Sequence, residues 1–428
     1  MADRAARTLA AVAADLDVRR AAAGPGWTPG VAVSGGSDST GLLLAAHGWA
    51  QTRGVPLACA TVDHRLRPQS RAEAEGVAAL CASLSVTHDI LTWRHDGAPS
   101  GNLAAAARDA RRALLADWAR GRALDAVLLA HTEGDQAETV LLRLARGAGV
   151  DGLSGMADSV RAHGVTFARP TLALTRDDLR SICIAHGISW VEDPTNDDLT
   201  HDRPRARAAL AALAPLGIDA AGLAATAARL RGQRVVLEDA ADALAAQALR
   251  WGGAGEARLS LARYGAAPTD LRLRVLAQAI AALSGARRPR QRALGPLDAA
   301  VLAGRARTLA GVVIAPAGAA EVALWREAVC LPPPVAAVDG AVWDGRWRVR
   351  GAVPEGAIWG ALGDAGLRDL AARALPTGWS AAPRGARGAA PCLRWCGALI
   401  FAPLAGYKRH EAFFSLEDLR LVDSGNEI

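Results

Sequence analysis

The sequence predicts an α/β protein in which an N-terminal parallel-sheet domain is followed by a helical domain and a small mixed α/β C-terminal domain. Three observations predict this order. Strand and helix signals alternate up to about residue 190, the pattern is purely helical from about residue 202 to 250, and the segment beyond residue 334 is rich in Trp, Gly and Pro. Strands that are separated by helices are typical of a parallel sheet covered on both faces.

Five short apolar runs predict the strands of the first domain, because buried parallel strands are nearly continuous in apolar residues. These runs are residues 30–34, 57–62, 86–93, 126–130 and 165–168. Helical periodicity is found at residues 38–51, 71–84, 103–120, 135–146 and 177–186. Ligands of such sheets bind beyond the carboxyl ends of the strands, so we expect the functional site at that edge.

Changes in composition predict the domain boundaries. We expect the first domain to span residues 1–213, the helical domain residues 214–331 and the C-terminal domain residues 335–428. Helical periodicity resumes at residues 269–283, and a basic turn follows that contains Arg287, Arg288, Arg290 and Arg292. Three consecutive prolines cannot continue a helix, so residues 331–334 predict a linker.

The charge balance limits the possible chemistry. There are 49 Lys plus Arg residues against 43 Asp plus Glu, and the net charge of +6 permits a polyanionic partner without proving one. Lys408 is the single lysine, and a GC-rich genome is the simplest explanation. A phosphate loop of the form GxxxxGK(S/T) requires a lysine after glycine, whereas Lys408 follows Tyr407, so that class is excluded.

Two further features concern the cellular compartment. No apolar run reaches the ~18 residues of a membrane span, and the first residues contain Asp3, Asp15 and Asp17 without an apolar core, which argues against a targeting peptide. The six cysteines include no C-x-x-C pair, so we expect buried free thiols rather than a zinc site. The chain is therefore expected to be cytoplasmic with no membrane partner. The sequence leaves open whether it forms a homodimer.

The most informative segment is VAVSGGSDST at residues 31–40. A strand leads into a turn and then a helix, and the turn consists of Ser34, Gly35, Gly36, Ser37, Asp38 and Ser39. Two glycines let backbone N–H groups approach an anion, the serines add donors, and the helix N-terminus favours phosphate. Asp38 would repel a bare phosphate and so predicts a bridging Mg²⁺. An ordinary turn with Asp38 or Ser39 as N-cap explains the spacing equally well.

Further polar residues are clustered where other predicted strands end. They are Asp63 and His64 after the second strand, His131, Asp135, Glu138 and Arg143 after the fourth, and the run WVEDPTN at residues 190–196. Because parallel strands end at the same edge of a sheet, we expect these clusters to lie near the turn at residues 34–39. Acidic residues in a first helical turn are also favoured by the helix dipole alone.

SGGSDS resembles the SGGxDS signature of the PP-loop (N-type) ATP pyrophosphatases, which cleave ATP to AMP and pyrophosphate. Several modification and amidation enzymes share that signature. More specific likenesses are to successive motifs of the tRNA(Ile)-lysidine synthetase family, in VDHRLRPQSRAEAE, GNLAAAARDARR, HTEGDQAETVLLRLARGAGVDGLSGM, ARPTLALTRDDL and WVEDPTNDD. They occur in the family's order over about residues 30–207. The resemblance implies a PP-loop, adenine nucleotide alpha hydrolase-like fold for the first domain.

The resemblance implies that ATP is the co-substrate, Mg²⁺ the metal, and free L-lysine and an isoleucine tRNA with a CAU anticodon the partners. The family adenylates the C2 carbonyl of the wobble cytidine, and the ε-amine of lysine then displaces AMP. The C2 oxygen leaves readily only as a phosphate ester, and the amine must be neutral to attack. The resulting lysidine pairs with adenosine, which changes the codon from AUG to AUA and the identity from Met to Ile.

Residue roles are also implied by the resemblance. The nucleotide-binding positions are Ser34, Gly35, Gly36, Ser37, Asp38, Ser39, Asp63 and His64, with Asp38 facing the metal or phosphate. The catalytic positions are Asp38, His131, Asp135, Glu138, Arg108 and Arg112. The two arginines there would neutralise charge that develops on phosphate. The positions expected to bind substrate or tRNA are Arg143, Arg203, Arg205 and Arg207.

Two departures from the family pattern affect single residues. The family often has two consecutive acids before the Gln of DQAET, whereas Gly134 precedes Asp135 here. One acidic role is therefore absent or displaced to Glu133. Pro204 interrupts the arginine segment that follows the DPTN run, and any phosphate-binding lysine of the family must be replaced by arginine.

Two other functions compete with this interpretation. A thiolase of the same superfamily normally requires paired cysteines or an iron–sulfur cluster, and the cysteines here are distant from the strand-end motifs. A nucleotide- or tRNA-binding protein without catalysis would follow if Gly134 had disabled the site. Distal arginines such as Arg229 and Arg231, or Arg384 and Arg387, could bind tRNA phosphates, but a solvated surface explains each of them as well.

Overall fold

The computed structural model describes residues 2–66, 69–94, 103–192, 200–286, 288–408 and 414–418. The chain forms two compact units, Met1–Arg234 and Val235–Glu427. Within the described residues, no single helix is long and apolar enough to cross a membrane. One consecutive pair, Asp202–Leu216 with Ala220–Ala248, reaches that length and composition together but bends by 98° between its members.

The first unit is built on a six-stranded sheet. Its strands are β1 (Pro29–Ala32), β2 (Ala58–Asp63), β3 (Thr87–Thr92), β4 (Ala126–Leu128), β5 (Ser159–Ala162) and β6 (Val165–Ala168). Their order across the sheet is β3-β2-β1-β4-β6-β5, and every neighbouring pair is parallel except β5 with β6. The five predicted strands are confirmed, and β5 is an additional edge strand.

The helices of the first unit cover both faces of this sheet. They are α1 (Ala2–Ala23), α2 (Ser37–Arg53), α3 (Ser70–Ser83), α4 (Leu103–Gly121), α5 (Glu133–Leu144), α6 (Val150–Leu153), α7 (Arg176–Ala185), α8 (Asp202–Leu213) and α9 (Ala220–Ala248), which contains the unit boundary. The five helices predicted between and after the strands are confirmed. Neither α1 nor the short α6 was predicted from the sequence.

Alternating side chains of β1 belong to two separate cores. Val31 is buried with α1, α2 and α7 on one face, and Ala32 is buried with Leu115 and Trp118 of α4 on the other. The α2 and α7 backbones touch, since a Cβ added to Gly41 would lie 2.7 Å from the carbonyl oxygen of Leu179. This close packing fixes the start of α7 beside the start of α2, at the carboxyl edge of the sheet.

The second unit begins with an antiparallel sheet and three helices. The strands are β7 (Leu249–Trp251), β8 (Ala257–Ser260), β9 (Arg307–Leu309), β10 (Val312–Pro316) and β11 (Glu321–Arg326), in the order β7-β8-β11-β10-β9. The helices are α10 (Leu261–Gly265), α11 (Thr269–Ser284) and α12 (Gln291–Leu302). The helices expected in residues 202–250 and 269–283 are confirmed, and the five-stranded sheet is present in addition to them.

The rest of the second unit contains a five-stranded antiparallel sheet, in the order β12-β15-β16-β17-β18, and a three-stranded one, in the order β13-β14-β19. The strands are β12 (Val335–Ala336), β13 (Val342–Trp343), β14 (Trp347–Gly351), β15 (Ile358–Ala361), β16 (Pro391–Trp395), β17 (Ala398–Ala402), β18 (Tyr407–Lys408) and β19 (Phe414–Asp418). The helices are α13 (Gly363–Leu370), α14 (Thr377–Ser380) and α15 (Arg384–Gly388). Residues 331–334 have no regular secondary structure, as three prolines require. The predicted fold class, including the mixed C-terminal part, is confirmed.

The cysteines follow the expectation in part. Cys59, Cys81, Cys183 and Cys392 are buried free thiols, as predicted. Cys330 and Cys396 are free but exposed, so the prediction of burial is wrong for these two. Within the described residues, no three His, Cys, Asp or Glu side chains are grouped so that they could hold a metal ion.

Candidate active site

A cavity of about 580 Å³ lies at the carboxyl edge of the parallel sheet in the first unit. The ends of β1, β2 and β4 form its floor, and the first turns of α2 and α3 line it together with four arginines from other elements, Arg111, Arg176, Arg180 and Arg203. Of the residues singled out in the sequence, those that line this cavity are Ser34, Gly36, Ser37, Asp38, Ser39, His64, His131 and Arg203. The sequence argument for a site at this edge is therefore supported.

The turn at residues 34–39 is held open by its own hydrogen bonds. The Ser39 hydroxyl accepts from the Ser34 backbone N–H at 3.0 Å and donates to the Gly36 carbonyl at 3.1 Å. Gly35 has φ +87°, a conformation that side chains rarely adopt. Gly36 is the N-cap of α2 and has no side chain to occupy the first N–H groups of the helix. The turn thus presents backbone donors of the kind that can bind phosphate.

Asp38 projects from the first turn of α2 into the cavity, and its main partner is an arginine from α7. Its Oδ2 accepts from Arg176 Nε at 3.3 Å, and its Oδ1 accepts from the Ser37 hydroxyl at 3.2 Å. Burial raises the pKa of Asp38, the Arg176 charge opposes this, and the nearby carboxylate of Asp135 adds to it. Arg176 was not identified from the sequence, because it lies 138 residues away from Asp38 in the chain.

The residues around Asp38 fit Mg²⁺ only in a site that is shared with phosphate. Mg²⁺ prefers hard oxygen ligands and is usually held by one or two carboxylates plus substrate phosphates and water. Asp38 supplies one such carboxylate beside the hydroxyls of Ser34 and Ser37, and these hard oxygens suit Mg²⁺ once phosphates provide the remaining ligands.

Asp63 and His64 have different positions at the end of β2. The Asp63 carboxylate is buried and accepts from the Ser70 hydroxyl at 2.7 Å and the Arg65 backbone N–H at 3.0 Å, so it shapes the turn into α3. Arg65 itself has φ +52° in this turn. His64 lines the cavity, and burial followed by the charge of Arg111 lowers its pKa. Asp63 is not among the residues that line the cavity.

His131 lies three residues beyond the end of β4 and lines the cavity. Its Nδ1 is buried and has no hydrogen-bond partner among the described residues. Burial lowers the pKa of His131 to about 3, with the positive charges of Arg169, Arg203 and Arg111 in the same direction and the Asp135 carboxylate opposing them. The imidazole is therefore neutral at physiological pH and can act as a hydrogen-bond acceptor or donor, not as a cation.

Asp135 and Glu138 lie on α5 behind the cavity wall and are paired with arginines of α8. Asp135 closes a capping box with Thr132, and its other oxygen is 3.4 Å from Arg203 Nη1. Glu138 is buried, and its Oε1 accepts from Arg207 Nε at 2.9 Å. Its Oε2 has no hydrogen-bond partner within the described residues. Burial raises the pKa of Glu138, although Arg207 opposes this effect.

The arginine on α4 that lines the cavity is Arg111, which the sequence analysis did not name. Arg108 is exposed, Arg112 is half-buried, and neither lines the cavity. The pKa of Arg111 is lowered by burial and by the charges of Arg203, Arg108 and Arg112. A helix brings positions i, i+3 and i+4 to one face, so the spacing of these three arginines could have indicated Arg111.

The remaining predicted arginines are engaged away from the cavity. Arg143 Nη1 donates to the carbonyls of Gly152 and Gly155, both at 2.8 Å, and thereby holds the loop after α5. Arg205 is exposed and pairs with Asp202. The DPTN run and Arg287 lie outside the described residues. Arg180 and Glu192 line the cavity and form an ion pair at 2.8 Å. Glu192 belongs to the predicted run WVEDPTN, whereas Arg180 was not identified from the sequence.

The departure at Gly134 has little steric significance. A Cβ at this position would lie 3.7 Å from the Thr132 hydroxyl oxygen, an ordinary contact. Glu133 does not line the cavity, and burial together with the carboxylates of Asp219 and Asp178 raises its pKa. Its surroundings therefore differ from those of the acids at positions 135 and 138.

We expect Gly134→Asp to retain activity and thermal stability, because an acid in the first turn of α5 interacts favourably with the helix dipole, by about 0.3–1 kcal/mol. Glu133→Ala is expected to change catalytic activity by less than about twofold, since a side chain outside the site has only indirect effects. Initial rates and melting temperatures of both variants check this. Inactive Glu133→Ala with active Gly134→Asp would show instead that the second acidic role is at Glu133.

The comparisons with known proteins agree with this geometry. Residues 22–214 match the family described as the PP-loop domain, which places the chain in that ATP-binding class. It is 40% identical over 383 residues to a tRNA(Ile)-lysidine synthase of Ruegeria pomeroyi, covering 88% of each chain. It is 47% identical over 262 residues to one of a Methylobacterium species, covering 60% of this chain and 75% of that one. The chain belongs to the tRNA(Ile)-lysidine synthase family.

One of the solved structures to which the chain is similar is that of a U34-tRNA thiolase from Methanococcus maripaludis. The identity is 15% and the TM-score 0.46, and the match covers 56% of this chain and 81% of that one.

Proposed function

We propose that this protein ligates free L-lysine to C2 of the wobble cytidine in an isoleucine tRNA with a CAU anticodon, using ATP and releasing AMP and pyrophosphate. The observation that carries the proposal is that the phosphate-binding turn and His131 line the same cavity at the sheet edge. Adenylation needs an activated phosphate and an acceptor base within reach of each other, and one cavity can hold both. Membership in the tRNA(Ile)-lysidine synthase family supports the choice of reaction.

ATP binds, in this proposal, with its phosphates on the turn at residues 34–39 and on the start of α2. Gly35, Gly36 and the serines donate to the phosphate oxygens, and Asp38 would hold Mg²⁺ together with these oxygens. Bound Mg²⁺ would neutralise phosphate charge and fix the triphosphate for in-line displacement. His64 at the end of β2 contacts the nucleotide, and Asp63 keeps the turn behind it in shape.

The adenylation step joins the C2 oxygen of the cytidine to the α-phosphorus. The bond from the α-phosphorus to the bridging oxygen breaks, and its electron pair leaves with pyrophosphate. Negative charge therefore develops on the phosphates, and cations placed in advance lower the barrier. Arg111 and Arg203 line the cavity and can supply this charge, with Arg108 and Arg112 on the same helix raising the local positive potential. Neutral His131 can hydrogen-bond the pyrimidine without adding charge.

The second step is attack of the lysine ε-amine on C2. The amine loses a proton, a C–N bond forms, and AMP leaves with the former C2 oxygen and the electron pair of the broken C–O bond. Asp135 and Glu138 are proposed to attract the ε-ammonium and to accept its proton through the polar cavity. Asp135 is paired with Arg203 and Glu138 with Arg207, and this pairing with cations supports the proposal.

We propose tRNA-binding roles for residues 214–331 and 335–428, since one cytidine cannot identify one tRNA and RNA is recognised largely by shape and phosphate contacts. Arg143 and Arg205 would act at the rim of the first unit, Arg143 through the loop that it holds. We also propose a cytoplasmic location, because the substrate tRNA and ATP are found there. A homodimer is a further proposal, which light scattering of the purified protein would test.

The proposed function is tested by incubating the protein with ATP, radiolabelled lysine and an isoleucine tRNA transcript that has a CAU anticodon. We expect tRNA-dependent pyrophosphate release and lysine in a linkage stable to acid and base, since a C–N bond at C2 is not an ester. Ordinary aminoacylation gives an ester that base removes. ATP consumption without stable attachment, or transfer only when a sulfur donor is present, would overturn the proposal and favour another PP-loop modification.

A further inference from the structure

Arg176 occupies the first position of α7, lines the cavity and forms an ion pair with Asp38. Its Nε lies 3.3 Å from Asp38 Oδ2, and its side chain is 36% exposed. The Asp38 side chain is only 19% exposed, so the pair is partly buried, and 3.3 Å is long for a charge-assisted N–H···O contact. Arg180, one turn later on the same face, also lines the cavity but is paired with Glu192 at 2.8 Å. Arg176 is thus the cation of α7 that is placed beside the phosphate-binding turn.

The start of α7 is held firmly, so the position of Arg176 is defined by the fold. Thr175 and Asp178 form a capping box at this end of α7. Arg4 of α1 donates through Nε to Asp178 Oδ1 at 2.7 Å and through Nη2 to the Thr175 hydroxyl at 3.3 Å. The close approach of Gly41 to Leu179 ties the same turn of α7 to α2. A long side chain on a fixed backbone can exchange partners without a change in the fold.

The cavity has two groups of arginines. Arg111 and Arg203 act electrostatically on His131, whereas Arg176 acts on Asp38 at the phosphate-binding turn. A triphosphate that reacts at its α-phosphorus needs a cation near the reacting end and another near the leaving group. Arg111 and Arg203, beside His131, are suited to the α-phosphate and the pyrimidine. Arg176 is therefore the arginine available for the β- and γ-phosphates at the other end of the triphosphate.

We propose that Arg176 binds the β- and γ-phosphates of ATP: it pairs with Asp38 in the free protein and transfers to the phosphates when the nucleotide enters. This inference rests on the proposed function, because it assumes attack at the α-phosphorus. When the bond to the bridging oxygen breaks, its electron pair goes to pyrophosphate, and the Arg176 guanidinium stabilises that charge by paired N–H···O contacts. Its departure from Asp38 frees a carboxylate oxygen for Mg²⁺.

The test compares Arg176→Ala and Arg176→Lys with two control variants. Product inhibition by inorganic pyrophosphate and by AMP is measured separately, together with KM for ATP and for lysine. For Arg176→Ala we expect pyrophosphate inhibition and KM for ATP to weaken by about tenfold or more, the size of a lost charge-assisted contact. AMP inhibition and KM for lysine should stay within about twofold, and Arg176→Lys should recover part of the loss since it keeps the charge.

The controls separate a direct contact from an effect on α7. Arg7→Ala removes an exposed arginine of α1 that pairs only with Asp3 in the described structure, and it should behave as the unchanged protein. Arg4→Ala loosens the start of α7 but keeps the Arg176 guanidinium. If Arg4→Ala reproduces the loss seen in Arg176→Ala, or if AMP and pyrophosphate inhibition weaken equally in Arg176→Ala, the proposal is overturned. Unchanged pyrophosphate inhibition in Arg176→Ala overturns it as well.

Calorimetric titration with inorganic pyrophosphate alone keeps this inference distinct from the proposed function. If the unchanged protein attaches no lysine to tRNA, the proposed function fails, yet the pyrophosphate affinity of the unchanged protein and of Arg176→Ala can still be compared. A difference of about tenfold supports the contact, and equal affinities refute it.

Discussion

Asp38→Asn is expected to reduce tRNA-dependent AMP formation by about 100-fold or more, the usual loss when an electrostatic group that acts on a transferring phosphate is removed. Asp38 is placed at the start of α2 and lines the cavity as part of the turn at residues 34–39. The amide keeps the shape but cannot hold Mg²⁺ as a carboxylate does. The measurement is the rate of AMP release with ATP and tRNA at saturating concentrations.

The same substitution should leave the fold intact. Burial raises the pKa of Asp38 above its usual value, so at neutral pH the ionised form costs folding free energy. This cost is absent below both pKa values and appears as the pH rises through the normal range of an aspartate. The melting temperature of Asp38→Asn at pH 7 should therefore be equal to or higher than that of the unchanged protein.

Asp177→Asn is the matched control, because Asp177 is an exposed acid in the first turn of α7, next to Arg176 in sequence. It should retain AMP formation. Near-normal AMP formation by Asp38→Asn would contradict both the assignment of the turn at residues 34–39 and the placement of Mg²⁺ there.

The parallel sheet could be predicted because its strands are buried on both faces. β1, β2 and β4 are buried along almost their whole length and read as continuous apolar runs. By contrast, β5 is a half-exposed edge strand of four residues, and its pattern has no such signal. α1 was missed because it is rich in alanine with Asp and Arg on several sides, and it buries only Ala5, Thr8, Val12 and Leu16. Its role depends on contacts with α7, which are distant in sequence.

The five-stranded sheet formed by β7 to β11 in the second unit was not predicted, for a related reason. β7 and β9 have three residues each, and β8 has four, so alternation cannot be recognised before each strand ends. The long helices on either side dominate the composition of this region. These strands are specified by pairing, for example of β10 with β11 over five residue pairs, rather than by local sequence.

In the candidate site, the sequence indicated which strand ends contribute but not which cations reach the cavity. The turn at residues 34–39 and His131 are local features of strand ends, and both line the cavity. Arg111 and Arg176 come from helices whose positions depend on tertiary packing. The sequence analysis therefore named the neighbours Arg108 and Arg112 instead of Arg111, and no arginine of α7. Asp63 has the right sequence position, yet its carboxylate is used inside the turn.

Glu138→Gln is expected to raise KM for lysine by about tenfold to a hundredfold, the effect of losing a charged hydrogen bond. Glu138 Oε1 already binds Arg207, whereas Oε2 is buried without a partner among the described residues. A buried carboxylate oxygen in that state is stabilised by a cation, and the ε-ammonium of lysine is such a group. Glutamine has the same shape without the charge, so tRNA-dependent pyrophosphate release in the first step should persist.

The pH dependence provides a second measure. Because burial raises the pKa of Glu138, its protonation begins at a higher pH than that of an ordinary glutamate. KM for lysine should therefore rise on acidification in the unchanged protein, starting above the normal glutamate range, and this rise should be absent from Glu138→Gln. The ionised form costs folding free energy above that raised pKa, so the melting temperature of Glu138→Gln at pH 7 should not fall.

Glu133→Gln is the matched control, since it makes the same exchange on the same helix at a residue whose charged neighbours are Asp219 and Asp178 rather than the arginines of α8. KM for lysine in this variant should equal that of the unchanged protein. If Glu138→Gln instead raises KM for tRNA or ATP and leaves KM for lysine unchanged, Glu138 serves to position Arg207 on α8, and the ammonium-binding role proposed for it is wrong. Another carboxylate must then bind the lysine ammonium group. Asp135, which is paired with Arg203 on the same helix α8, is the next carboxylate to test.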